Sequence, residues 1–131
     1  MPQQELELIL LRQLASYLSL PIFLVGSDGK LLYYNEATAH LLGRRYDEAG
    51  KVSIDDLAKI LSTTTEDGQA LPSEALPIAI AVRERRPAHA ALRFCGFDNV
   101  WRKVEMTALP LEGQAGRHLG AVAIFWEADQ S

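Results

Sequence analysis

The spacing of apolar positions changes along this chain, and each change marks an element. In residues 3–20, "QQELELILLRQLASYLSL", apolar side chains recur at helical intervals. At about 100° per residue, with Leu6 at zero, Leu10, Leu11, Leu14, Tyr17 and Leu18 spread over one broad side. Glu5, Arg12, Ser16 and Ser19 gather in a narrow polar arc opposite. A helix that covers only its own core needs an apolar stripe a little over ~100° wide. This one is wider, so it is expected to meet two apolar surfaces; it reads equally as a terminal helix lying on its own core and as one that also forms a dimer contact. Sustained heptads are absent, which argues against a free coiled coil. Pro21 ends the segment. Two apolar runs follow, "IFLVG" (22–26) and "LLYY" (31–34), and read as strands joined through Asp28-Gly29. Asp-Gly favours a two-residue hairpin turn whose central residues both take positive φ. Asn35 then stands where its side chain can cap a helix over about 36–42, and Gly43 suits a left-handed stop.

Further on, "VSIDDLAKIL" (52–61) reads as a short helix with Ser53 as its cap. "STTTEDGQALP" is a loop with a turn at Asp67-Gly68. "SEALPIAIAVRERR" (73–86) is the clearest internal helix, with Pro77 tolerable only in its first turn. Arg83, Arg85 and Arg86 complement the dipole at its end and read as a solvated terminus. "AHAALRFC" (88–95) alternates, with Ala90, Leu92 and Phe94 opposite His89, Arg93 and Cys95. "VWRKVEMTAL" (100–109) alternates too, with Val100, Val104, Met106 and Ala108 opposite Trp101, Lys103, Glu105 and Thr107. Arg102 interrupts its apolar side. "HLGAVAIFWE" (118–127) is apolar on both sides. An alternating strand has one face in water, whereas a strand apolar on both faces is covered twice. The first and last strands therefore belong at the sheet centre, side by side, and the alternating pair lies towards an edge. The fold class that follows is α+β. It has a five-stranded antiparallel sheet, short helices on one face and the N-terminal helix on the other.

Composition narrows the function classes. The 131 residues suit one domain, which can bury about two-thirds of its unfolded surface. A formal net charge of -4 argues against nucleic acid or an anionic membrane as partner. A single cysteine, Cys95, cannot form an internal disulfide, which fits a reducing, cytoplasmic setting. The start lacks a signal-peptide pattern, and no apolar run approaches the ~18 residues of a membrane span. There is no phosphate loop, no Cys-x-x-Cys and no His-Glu-x-x-His. His40, His89 and His118 share no metal-ligand spacing and are expected to face solvent, so no metal is expected. Lys103 and Glu105 fall on the outer side of their strand. Asp55 and Asp56 sit in a first helical turn, where the dipole favours carboxylates. A small α+β enzyme is the weakest reading, and no catalytic residue is assigned.

The order of these elements resembles a PAS domain. The family's entry signature stands here as Asp28, Gly29, Asn35, Ala37, Leu41, Leu42 and Gly43. "DGQALPSEALPIAIAVRERRPAHAALRF" is similar to the family's passage before the third strand, apart from Arg86-Pro87 where a glycine is usual. "VWRKVEMTALPL" with "GRHLGAVAIFWE" resembles its closing strands. The resemblance covers about residues 20–127. It divides the chain into an N-terminal amphipathic helix for capping or dimerisation (1–20), the PAS domain (21–127) and a short tail (128–131). It implies sensing or signalling, with a pocket between sheet and helices that holds haem, flavin or a metabolite in some members. The light-sensing flavin branch needs a cysteine in the second helical region, and 52–61 has none. Haem sensors usually take a histidine from the longest internal helix, and 73–86 has none. Haem and a cysteinyl-flavin adduct are disfavoured, non-covalent flavin stays open without a positive sign, and the cofactor stays unnamed.

For that pocket, strand phase and helix position nominate Leu57, Ile60, Leu61, Leu76, Ile80, Leu92, Phe94, Val104 and Met106, residues that would serve equally as plain core. Arg102 is the one charge on an apolar strand face. It would meet either a ligand carboxylate or, by snorkelling, water at the sheet edge. Helix packing or dimer contact falls to Leu6, Leu10, Leu11, Leu14, Tyr17, Leu18 and Trp101. The expected function is a cytoplasmic, homodimeric sensory module that binds a small molecule or a protein partner. No kinase, cyclase or DNA-binding segment follows "FWEADQS". If the sequence is a whole protein, the change is expected to leave through the N-terminal helix, the dimer interface or a separate signalling protein; a fragment of a longer protein is the equal alternative. A ligand-free dimerisation or docking module is the alternative.

Overall fold

A computed structural model describes residues 6–44 and 52–127. Five strands form one antiparallel sheet: β1 (Ile22–Gly26), β2 (Leu31–Tyr34), β3 (Ala88–Cys95), β4 (Trp101–Glu112) and β5 (His118–Glu127). Their order is β2-β1-β5-β4-β3. The two strands that are apolar on both faces are neighbours, with Ile22 opposite Ile124 and Leu24 opposite Val122. The alternating strands β4 and β3 pair with each other from Ala88–Ala108 to Cys95–Trp101 and run out to one edge. Three helices cover the inner face: α2 (Glu36–Leu42), α3 (Ile54–Ile60) and α4 (Pro77–Glu84). The main core lies beneath them, built on Phe23, Val25, Leu92, Val104, Ala121 and Phe125 from the sheet and Ile78, Ala79 and Ala81 from α4.

The opposite face holds a smaller cluster, Ile22, Leu24 and Val122, against which Leu11 of α1 (Leu6–Tyr17) packs half-buried. Ile9, Leu10, Leu14, Tyr17, Leu18 and Leu20 stay exposed. The reason lies in the sheet. Only β1, β5 and their immediate neighbours offer apolar groups on this face, while β4 and β3 present Lys103, Glu105, Thr107, His89 and Arg93. The wide apolar side of α1 thus finds one bed within the chain and keeps the rest uncovered. The side chain of Leu6 and the tail at 128–131 lie outside the described residues.

The β1–β2 turn differs from the expected one. The Gly29 amide donates to Gly26 O at 3.0 Å, and only Gly29, at φ 81°, is left-handed. Asp28 keeps a negative φ and instead accepts from the Lys30 amide through Oδ1 at 3.0 Å. The result is a type I turn followed by a left-handed glycine, a geometry that also suits a hairpin's twist. The 73–86 helix is shorter than its sequence pattern. Ser73–Ala75 form one 3-10 turn, α4 starts with Pro77 in its first turn, and Arg85 turns left-handed at φ 55°. Arg85 there donates to Gly116 O at 2.8 Å, tying the helix end to the β4–β5 turn.

Candidate functional site

Asn35 is the first polar residue to build. Its Oδ1 accepts from the Thr38 amide (3.1 Å), the Thr38 hydroxyl (2.9 Å) and the Ile22 amide (3.1 Å). Its Nδ2 donates to Leu20 O at 2.8 Å and reaches Leu18 O at 3.4 Å. One buried side chain thus caps α2, starts β1 and holds the segment that leaves α1. Ser53 caps α3 more simply, accepting from the Asp56 amide at 3.1 Å. These caps set α2 and α3 over the inner face of the sheet.

Between them and the sheet lies an apolar cavity of about 60 Å³. Phe23 and Val25 of β1, Leu31 and Tyr34 of β2, and Thr38 and Leu42 of α2 form one side. Ile54, Leu57 and Ala58 of α3, with Ser53, Leu61 and Thr63 beside it, form the roof. Leu76, Ile78, Leu92, Phe94, Val104, Met106 and Phe125 close the rest. The polar atoms on this wall are already engaged. The Thr38 hydroxyl has one proton for two acceptors in reach, Asn35 Oδ1 at 2.9 Å and Ile22 O at 3.0 Å, while the Tyr34 hydroxyl donates to Arg44 O at 2.6 Å and Thr63 to Ala58 O at 3.3 Å. Such a space favours an apolar occupant. Sites for drug-sized molecules measure roughly 300–1,000 Å³, so this one admits only a few heavy atoms as it stands.

Of the nominated pocket residues, Leu57, Leu61, Leu76, Leu92, Phe94, Val104 and Met106 line the cavity, and Ile60, Ile80 and Arg102 do not. Ile60 falls on the outer side of α3 and is 51% exposed. On α4 it is Ile78, not Ile80, that reaches the space. The nominations missed Phe23, Val25 and Phe125, because strands apolar on both faces give no phase. They also missed Thr38 and Thr63, whose hydroxyls hid them among polar residues.

Arg102 is neither at the cavity nor spread along the sheet edge into water. Its guanidinium, 17% exposed, grips Asp98 through two bonds of 3.1 and 3.3 Å and donates to Leu41 O at 2.8 Å. It thereby fastens the end of α2 to the β3–β4 turn. That hydrogen bond holds the Asp98 carboxyl below its usual 3.8, aided by the Val100 amide and opposed by partial desolvation. Gly43, at φ 83°, ends α2 in the same place. A Cβ there would meet the Asp98 amide at 2.9 Å, so backbone conformation and space both call for glycine.

The histidines divide. His40 is exposed at the end of α2, and His89 lies on the outer face, bonded to Thr107 (2.6 Å) and Glu105 (3.1 Å). His118 was expected in a solvent-facing loop. It instead opens β5, and both ring nitrogens are buried without a partner among the described residues. Among those residues no group of His, Cys, Asp and Glu is arranged to hold a metal ion, and no helix is long and apolar enough to cross a membrane.

A second hollow, a surface groove of about 420 Å³, adjoins the cavity. Its walls are Ala58 and Lys59 of α3, the 62–64 segment, Gly68, Ala70–Ser73 and Trp101. Trp101, nominated for helix packing or dimer contact, is 48% exposed, lines this groove and is not among the residues packed with Leu11 on the outer-face cluster.

A family model described as the PAS fold matches residues 16–131. No curated protein sequence matches the chain. Several solved structures share its fold. The PAS domain of a protein from Colwellia psychrerythraea is 16% identical, with 95% of this chain and 99% of that one covered and a TM-score of 0.67. The PAS domain of nitrogen regulation protein NR(II) from Vibrio parahaemolyticus is 13% identical, with 91% and 98% covered and a TM-score of 0.64. A LOV protein from Rhodobacter sphaeroides is 13% identical, with 97% and 70% covered and a TM-score of 0.74.

Proposed function

The chain belongs to the PAS family, a family of sensory and signalling modules, and on that footing we propose that its interior cavity receives a small apolar molecule and passes the change to α1. The observation that carries this reading is one continuous set of hydrogen bonds. Thr38 lines the cavity and bonds Asn35, and Asn35 holds the carbonyls of Leu18 and Leu20 where the chain leaves α1. A ligand that shifts Thr38 must strain or re-form those bonds, which gives the two places a contiguous physical connection.

The output surface in this reading is the uncovered side of α1. Among the described side chains, Ile9, Leu10, Leu14 and Tyr17 stand exposed while Leu11 is docked. A second copy of the chain burying this side makes the module a homodimer, and a separate signalling protein could use the same side. The division at about residue 20 between helix and domain belongs to this proposal, as does a cytoplasmic setting for the unpaired Cys95.

The test is a titration of the whole protein with 1-octanol, followed by melting temperature and calorimetry. Saturable binding with a raised melting temperature is expected. Absence of binding would favour the second reading, a ligand-free dimerisation or docking module, for which the small resting volume of about 60 Å³ speaks.

A further inference from the structure

The interior cavity and the surface groove share two wall residues, Ala58 and Thr63. Nothing larger than a methyl group and a threonine side chain stands between them on those shared positions. The backbone at this wall is well fastened. The Thr63 amide donates to Ala58 O at 3.1 Å, the Leu71 amide to Thr63 O at 3.2 Å, and the Cys95 amide to Leu61 O at 2.7 Å. The Thr63 hydroxyl is held loosely by comparison, through a 3.3 Å bond to Ala58 O. Ser62, next to it, sits in the left-handed region at φ 52°, a conformation that costs a non-glycine residue energy.

The two spaces differ in chemistry. The cavity is apolar and its hydroxyls are engaged. The groove carries Lys59, its one charged wall residue, beside Ser62, Thr64 and the face of Trp101. Lys59 forms no ion pair among the described residues, whereas Lys103 nearby pairs with Glu66 at 3.0 Å.

We propose that cavity and groove are one binding site, parted at rest by Ala58 and Thr63, for a molecule with an apolar body and an anionic end. The body enters the cavity and the charge stays at Lys59 in the groove. This rests on the cavity being a ligand site and adds the ligand's class.

Octanoate and 1-octanol, matched in body and differing in charge, are the probes, titrated into the full chain at low salt. Binding of octanoate is expected, with affinity rising about fourfold per methylene from pentanoate to octanoate. Lys59→Gln, on an exposed position, is expected to weaken octanoate three- to fivefold and to leave 1-octanol unchanged. Nuclear Overhauser contacts are expected from the octanoate terminal methyl to Met106 and from its second carbon to Thr63. Octanoate and 1-octanol binding alike, with Lys59→Gln without effect on either, would overturn the proposal and leave the cavity a ligand site. So would 1-octanol binding alone. Failure of both probes to bind would overturn the ligand reading and the proposal with it.

Discussion

Asn35 does more than cap a helix, and its removal should cost more than a cap is worth. An exposed cap replaced by alanine costs about 0.5–2 kcal/mol, and Ser53→Ala is expected near 1 kcal/mol. Asn35→Ala also strands the buried Ile22 amide, which adds about 1–3 kcal/mol, and frees the part-buried Leu20 carbonyl, which water can reach. A loss of about 2–4 kcal/mol is expected in urea unfolding, clearly larger than for Ser53→Ala. Asp98 gives a pH signature. Its folded carboxyl is held below 3.8, chiefly by the Arg102 hydrogen bond. The stabilisation is therefore present above the unfolded value and is lost as pH falls through the folded one. Asp98→Asn should melt earlier at neutral pH and lose that deficit in strong acid; a deficit independent of pH would contradict it. The cap at Asn35 was legible in the sequence because it needs only local spacing. Its grip on Leu18 and Leu20 was not, since those carbonyls come within reach only once α1 and β1 have folded back. Arg102 was legible as an anomaly, but its partner Asp98 is chosen by the turn between β3 and β4.

At the scale of elements, strand order followed from which runs were apolar on both faces, and β1 beside β5 bears that out. The same property concealed their phase. Phe23 and Val25 face the cavity while Ile22 and Leu24 face α1, and nothing in an all-apolar run distinguishes the two. Helix α1 was legible as broad and apolar, and it keeps most of that breadth uncovered. Leu10→Glu with Leu14→Glu, both on exposed positions, should leave the melting temperature nearly unchanged, since surface changes usually stay within about 0.5 kcal/mol. On the proposed function, sedimentation is expected to find a dimer for the parent and a monomer for the variant. A variant that remains a dimer would remove α1 from the interface.

At the scale of the whole molecule, one short path of hydrogen bonds joins a buried apolar space to the helix on the opposite side of the sheet. The general architecture was readable from element order, as was the site's place between sheet and helices. The size of the cavity and its thin wall towards the groove were not, because they depend on how side chains fill the interior. In the proposed function, the path from Thr38 through Asn35 to Leu18 is what would distinguish the cavity from a packing defect. Its most direct test is the amide spectrum of the full-length protein with and without saturating 1-octanol. Shifts at Leu57, Leu92 and Met106 accompanied by shifts at Leu11, Leu18 and Leu20 are expected. Shifts confined to the cavity, with the α1 amides unmoved, would contradict the coupling.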